Sequence, residues 1–315
     1  MRAAPFHAAL AQGPQDGRCY WVTAADGVTL RIGHWPGGAR GTVLLLSGRS
    51  EWIEKYGRVA TMLAARGYGV VTLDWRGQGL SQRLNADPAM GHVRRFSDYQ
   101  RDISALFGAL PALGLPDRLP VIAHSMGGCI ALRALRPRGL LAATPAIAFS
   151  APMWGLALSP GAWSGLRVLT ALARAGGRAA RYAPGTADST LAQTPFEENM
   201  LTSDPDVYAE LQHMVRTVPQ LALAGPSLNW LQEALMEMRR LRALPSPAVP
   251  AHAALGSAER IIDTQAVEDR MARWPGGTLD VIDGAAHEIM MERPAICARF
   301  LDRATALFES AAAAP

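Results

Sequence analysis

The stretch Leu119–Leu132, LPVIAHSMGGCIAL, decides how this chain is read. Leu119–Ala123 is an apolar run suited to a buried strand, and from Met126 the pattern turns helical behind two glycines. Ser125 therefore stands on the turn between strand and helix. That is the setting of a nucleophile elbow, in which a serine hydroxyl is held out of the sheet on a tight turn. Strand and helix approach closely there, so small neighbours are needed, and Ala123, Gly127 and Gly128 meet that need. The usual pattern is G-x-S-x-G, and Ala123 replaces its first glycine. Taken alone, Ser125 is equally the N-cap of an ordinary helix. The rest of the chain decides between the two.

Upstream of the elbow, residues 1–18 show no periodicity and are expected to be a loose arm. Cys19–Thr23 and Val28–Trp35 flank Ala-Asp-Gly and read as a hairpin. Thr42–Leu46 and Tyr68–Trp75 are continuous apolar strands, separated by a helix ending near Ala65. Phe96–Leu113 is helical in pattern, with Ser97 as expected N-cap and Gly114 as stop. Pro145–Ser150 is a further buried strand. Alternation at this spacing calls for an α/β fold with a mostly parallel central sheet flanked by helices. It ceases over 151–244, where helical stretches, prolines and large apolar residues predict a helical cap inserted over the sheet. It resumes with a strand at Pro250–Leu255, a helix to about Trp274, a strand at Thr278–Asp283 and a terminal helix from Pro294. The core is thus expected from 19–150 and 245–315.

The totals exclude several classes. At 315 residues there is room for one large α/β domain with an insertion. No apolar run is long enough to cross a bilayer, and the N-terminus lacks a secretory pattern. Three dispersed cysteines, Cys19, Cys129 and Cys297, fit neither a disulfide framework nor a zinc site, so a reducing, cytoplasmic setting is expected. The net charge of +4 is carried almost wholly by arginine, Lys55 being the only lysine. That excess is too diffuse for nucleic acid and compatible with anionic lipid surfaces. No metal or dinucleotide signature is present, Gly77-Gln78-Gly79 being too short and misplaced for one.

A serine needs a base, and His287 has the right place among seven histidines. It lies in the loop after the last strand, and serine hydrolases on such sheets run in the order Ser, acid, His. His124, beside Ser125, is expected to face away, since neighbours on a strand point to opposite sides. The acid falls between them, after a strand. Glu259 leads, with Asp263 and Asp283 as competitors; a carboxylate there fixes the tautomer of the base and stabilises its charged form. For the oxyanion, the expected donors are the backbone N–H groups of Met126 and, within Ser47-Gly48-Arg49, of Arg49, with Gly48 permitting the turn.

These residues and their surroundings resemble the lysophospholipase and monoacylglycerol-lipase branch of the α/β-hydrolase superfamily, and within it the bacterial inner-membrane lysophospholipases. The resemblance rests on SGRSEWIEKY, LDWRGQGLSQR, DPAMGHVRRFSDYQRDI, AHSMGG, AGPSLNW, GSAERIID and GAAHEIMME, and covers nearly the whole chain. It implies an α/β-hydrolase fold, Ser125, His287 and the GSAERIID carboxylate as triad, and no cofactor. It also implies a cap that shapes an acyl-chain pocket, for which Trp154, Phe196 and Trp230 are the candidate lining residues, although most of the large residues of 151–244 are expected to form the insertion's own core. Relatives usually carry aspartate where Glu259 stands, so an extra methylene has to be absorbed.

The expected activity is hydrolysis of a lysophospholipid or monoacylglycerol ester through an acyl-enzyme. The alternatives are an aminopeptidase or amidase, for which Glu197-Glu198 would hold a substrate amine, and a non-catalytic binder of hydrophobic ligands. Arg167, Arg174, Arg178 and Arg181 share one helical face, with Leu166, Val168, Leu169 and Leu172 turned away. That pattern reads either as a helix docking on an anionic membrane, at the inner membrane face, or as a solvated face backed by a core-facing stripe. Gly176-Gly177 interrupts it.

Overall fold

Runs of Val, Leu, Ile and Ala with no polar alternation dominate the central strands, because that sheet is covered on both faces. In a computed structural model, which describes residues 1–187 and 190–313, nine strands form one sheet. They are β1 (Arg2–Ala3), β2 (Arg18–Thr23), β3 (Thr29–Trp35), β4 (Thr42–Leu46), β5 (Gly69–Asp74), β6 (Val121–His124), β7 (Ile147–Ser150), β8 (Ala251–Gly256) and β9 (Thr278–Ile282). Their spatial order is β1-β2-β3-β5-β4-β6-β7-β8-β9. The pairs from β1 to β5 through β3 are antiparallel and all others parallel.

The helices are α1 (Ala8–Ala11), α2 (Gly57–Ala64), α3 (Tyr99–Ala109), α4 (Met126–Ala134), α5 (Pro160–Ala175), α6 (Pro205–Thr217), α7 (Leu228–Arg242), α8 (Thr264–Met271) and α9 (Pro294–Ala313). Strand residues alternate between two cores. Val43, Leu45 and Ile122 pack with Val59 and Leu63 of α2 and Phe300 and Leu301 of α9. Leu44, Leu46, Val121 and Ala123 pack with Ile103 of α3, Ile130 of α4 and Val267 of α8. The parallel register sets Leu46 beside Ala123 and His124 beside Ser150, so β4, β6 and β7 end on one edge. Among the described residues no helix is long and apolar enough to cross a membrane.

Two expectations about the first half need correction. Residues 1–18 are not a loose arm: β1 adds to the sheet beside β2, and Ala11 of α1 is buried. Periodicity misses so short a strand and a one-turn helix. They are anchored by polar bonds, the Pro5 carbonyl accepting from Arg31 and the His7 N–H donating to Glu54. Nor is Ser97 the cap of the Phe96 helix. The Arg95 N–H donates to Asp98, and the Phe96 N–H is taken by Glu233 of α7. Gly114 does stop that helix, in the left-handed conformation at φ 70°.

Between β7 and β8 lie α5, α6 and α7. Helix α7 packs on α4, while α6 contributes Leu211, Met214 and Val215 to a separate small core around Trp52. Helix α5 ends at Ala175, so Arg178 and Arg181 do not continue one helical face with Arg167 and Arg174. Of the apolar residues named with them, Leu166 packs against the core, while Val168, Leu169 and Leu172 do not. Val168 and Leu172 are 60% and 66% exposed, and the buried positions of α5 are Thr170 and Ala173.

Candidate active site

Ser125 takes φ 47° and ψ −115°, a conformation that strains any residue with a Cβ, and its carbonyl and amide are fixed on both sides. Its N–H donates to Ser150 O at 3.1 Å, and its carbonyl accepts from Met153 N at 2.9 Å. The small neighbours have a measurable cause. A Cβ on Gly127 would lie 2.3 Å from Leu46 O, and one on Gly128 would lie 2.6 Å from Pro152 Cβ. Ala123, in place of the usual glycine, is fully buried in the sheet core.

The structure brings Ser125, His287 and Glu259 into one chain of hydrogen bonds. His287 Nε2 lies 2.9 Å from Ser125 Oγ, and Nδ1 lies 2.6 Å from Glu259 Oε2. A carboxylate only accepts, so the imidazole proton is on Nδ1 and Nε2 is free to take the serine proton. The other oxygen of Glu259 accepts from the N–H groups of Ile261 at 2.6 Å and Ile262 at 3.2 Å. Burial raises the pKa of Glu259, but the bond from His287, its charge and these two N–H groups outweigh it, so the carboxyl is held below its ordinary value. The longer side chain is thus accommodated by folding back on its own loop. The competing acids are engaged elsewhere: Asp263 caps α8 through Ala266 N, and Asp283 accepts from Ser257 Oγ.

The N–H groups of Met126 and Arg49 find no acceptor among the described residues. The loop carrying Arg49 is held by side chains that sequence reasoning did not single out. Gln78 Nε2 donates to Gly48 O at 2.8 Å, Trp75 Nε1 to Ser47 O at 2.8 Å, and Gly48 N–H to Glu51. Gly48 is required for close approach rather than for turning. A Cβ there would lie 3.0 Å from both Glu51 Oε2 and His124 Cδ2, and it is Ser50 that takes the positive φ of 62°.

Beneath this loop lies a buried polar cluster. Lys55 Nζ bridges Glu51 and Glu288 at 2.6 Å each, and Tyr56 OH donates to Glu51 at 2.6 Å. His124 joins it, its Nε2 3.7 Å from Glu51 and its ring centroid 5.0 Å from that of His287. It therefore does not face away from the site as strand alternation predicts, because His287 reaches over the end of β6. Burial lowers the His124 pKa to about 4, so the ring is neutral, and Nδ1–H donates to Ser150 O. Burial would raise Glu51, yet Lys55 and His124 pull it below its usual value; Glu288, more weakly compensated, is pushed up. Glu51, His124 and Glu288 have the composition of a cation site, but the Lys55 ammonium already occupies the space between the carboxylates. The signal for this cluster lay in SGRSEWIEKY and GAAHEIMME, which hold four of its five members.

A cavity of about 400 Å³ opens beside the Arg49 loop, its wall including Arg49, Ser50 and Glu288 from the core and Leu191, Tyr208 and Ala224 from the segment between β7 and β8; Ser125 and His287 are not part of that wall. The three expected lining residues do not reach it. Trp154 is stacked on Trp274 at 6.1 Å and sits in the core. Trp230 is buried, with Nε1 donating to Tyr99 OH. Phe196 packs on Tyr208 at 5.7 Å, outside the cavity wall. Trp154 and Trp230 serve packing, and the aromatic side chains in the wall are instead Trp52 and Tyr208. Glu198 lines the cavity, whereas Glu197 does not.

With this geometry in hand, known proteins can be compared. The family described as "Serine aminopeptidase, S33" matches residues 37–294. Lysophospholipase L2 of Escherichia coli (strain K12) is 31% identical over 264 residues, covering 81% of this chain and 76% of the relative. The probable lysophospholipase L2 of Haemophilus influenzae is 28% identical over 255 residues, covering 81% and 79%. In structure, a soluble variant of monoglyceride lipase from Saccharomyces cerevisiae superposes with a TM-score of 0.68 at 21% identity, over 91% of this chain and 94% of the other.

Proposed function

Because the chain belongs to the family described as "Serine aminopeptidase, S33", an α/β-hydrolase family, on its lysophospholipase and monoacylglycerol-lipase branch, we propose that it is a serine esterase acting on a lipid monoester such as a lysophospholipid. The observation that carries this reading is the continuous chain Glu259–His287–Ser125 beside two unclaimed backbone N–H groups. Ser125 Oγ attacks the ester carbonyl while its proton passes to His287 Nε2. The N–H groups of Arg49 and Met126 hold the oxyanion. Collapse breaks the acyl–oxygen bond, and His287 returns the proton to the leaving alcohol oxygen. Water, deprotonated by His287, then attacks the acyl carbon; the bond to Ser125 Oγ breaks, His287 returns the proton to Oγ, and the fatty acid leaves. Glu259 keeps the imidazole oriented and balances its transient charge. Residues 151–244 act as the cap over this site.

The test is a hydrolysis panel of lysophospholipids, monoacylglycerols and aminoacyl amides with matched chain lengths. Turnover of the lipid esters and none of the amides is expected; amide turnover without ester turnover would overturn the reading. For localisation, the exposed Val168, Leu169 and Leu172 of α5, flanked by exposed Arg167 and Arg174, suit peripheral contact with an anionic membrane. Flotation with anionic vesicles at low salt is expected to carry the protein, and salt to release it.

A further inference from the structure

Two cations, Arg49 and Lys55, stand in the wall of the cavity next to the Arg49 loop, and they differ in one respect. The Lys55 ammonium is neutralised by two carboxylates. The Arg49 guanidinium has no carboxylate partner among the described residues. Its Nη2 donates to Ala224 O at 2.7 Å, its carbon lies 5.2 Å over the Trp230 ring, and its buried Nε has no partner. Its cage is shaped for it, since a Cβ on Gly91 would lie 2.4 Å from Nη2. Burial lowers its pKa only to about 10, so it stays charged at neutral pH. Retaining an unpaired, partly desolvated cation is costly unless an anion completes it, and a guanidinium fork matches a phosphate.

We propose that the Arg49 side chain binds the phosphodiester of a lysophospholipid head group, and so selects phospholipid over neutral glyceride. This rests on the esterase reading above. The backbone of Arg49 supplies the oxyanion N–H, and its side chain sets the head-group distance. From that nitrogen to the guanidinium carbon there are as many covalent bonds as from the ester carbonyl carbon, through the glycerol, to phosphorus. One residue thus gauges both ends of the polar part of the substrate. The guanidinium is held by Ala224 and Trp230, so the head group lies against the segment between β7 and β8.

The experiment uses non-hydrolysable ethers as competitive inhibitors of p-nitrophenyl butyrate hydrolysis: decyl lysophosphatidylcholine ether against decylglycerol. In the wild type the phospholipid ether is expected to bind at least about tenfold tighter, with a gap that narrows as salt rises. Arg49→Met is expected to bring the two inhibition constants within about threefold of each other. Gly91→Ala, which displaces the guanidinium without altering residue 49, shifts the ratio the same way by less. A wild type with no gap, or a gap that persists undiminished in both variants, overturns the proposal and assigns Arg49 a strap between core and cap. Failure of the wild type to hydrolyse any lipid ester, by contrast, would sink the esterase reading itself.

Discussion

At the carboxyl ends of β4, β6 and β8, each group of the proposed site is fixed by at least two partners. Ser125 is held by Ser150 and Met153, Glu259 by Ile261, Ile262 and His287, and the Arg49 loop by Gln78, Trp75 and Glu51. The segment between β7 and β8 is built the other way. Helix α5 leaves Val168 and Leu172 in solvent, and the cavity side combines loop residues such as Thr186, Leu191 and Ala224 with Tyr208 and Val215 of α6. The contrast separates two jobs. Under the proposed function, transition-state stabilisation needs groups preorganised to a fraction of an ångström, whereas seating the rest of a lipid substrate needs volume and room to adjust.

The comparison can be broken most sharply on its rigid side. Ser125→Ala and His287→Ala are each expected to lower ester turnover by on the order of ten-thousandfold or more, with thermal unfolding nearly unchanged. Glu259→Gln is expected to cost on the order of a thousandfold in kcat, because the imidazole loses its orientation. Near-normal turnover in that variant would remove Glu259 from the site.

His124 offers a test of the buried cluster by pH. Its folded pKa is lowered from 6.5 to about 4, so as pH falls through that window the unfolded chain takes up a proton the folded one refuses. Stability is therefore lost between those values, by up to about 3 kcal/mol, and His124→Gln should flatten that slope in urea unfolding measured from pH 7 to 4. On the loose side, Phe196→Ala is expected to change kcat/KM for lipid esters by less than about threefold, since the ring lies outside the cavity wall. A larger loss would mean that the cap closes further over the substrate than its resting form does.

The parallel core was readable because β4, β6 and β8 are apolar runs between helices, and the elbow because Ser125 follows one of them. That Glu259 and His287 would come together with Ser125 was readable from their order along the chain. What lay beyond reach was tertiary. The role of Lys55, the only lysine in the chain, depends on Glu288, far away in sequence. His124 approaches His287 across the end of β6, where alternation along a single strand says nothing about a loop arriving from elsewhere. Which aromatics of residues 151–244 line the cavity was not readable, because size and hydrophobicity do not distinguish a segment's own packing from a ligand surface. The N-terminal arm was misread because two residues of β1 carry no period.

Covalent labelling tests most directly whether Ser125 is a nucleophile activated by His287. An alkyl fluorophosphonate applied to the folded protein, followed by peptide mapping, is predicted to place one adduct on Ser125 and to label the His287→Ala variant far more slowly. No adduct, or an adduct on another residue with Ser125 unmodified, would contradict it.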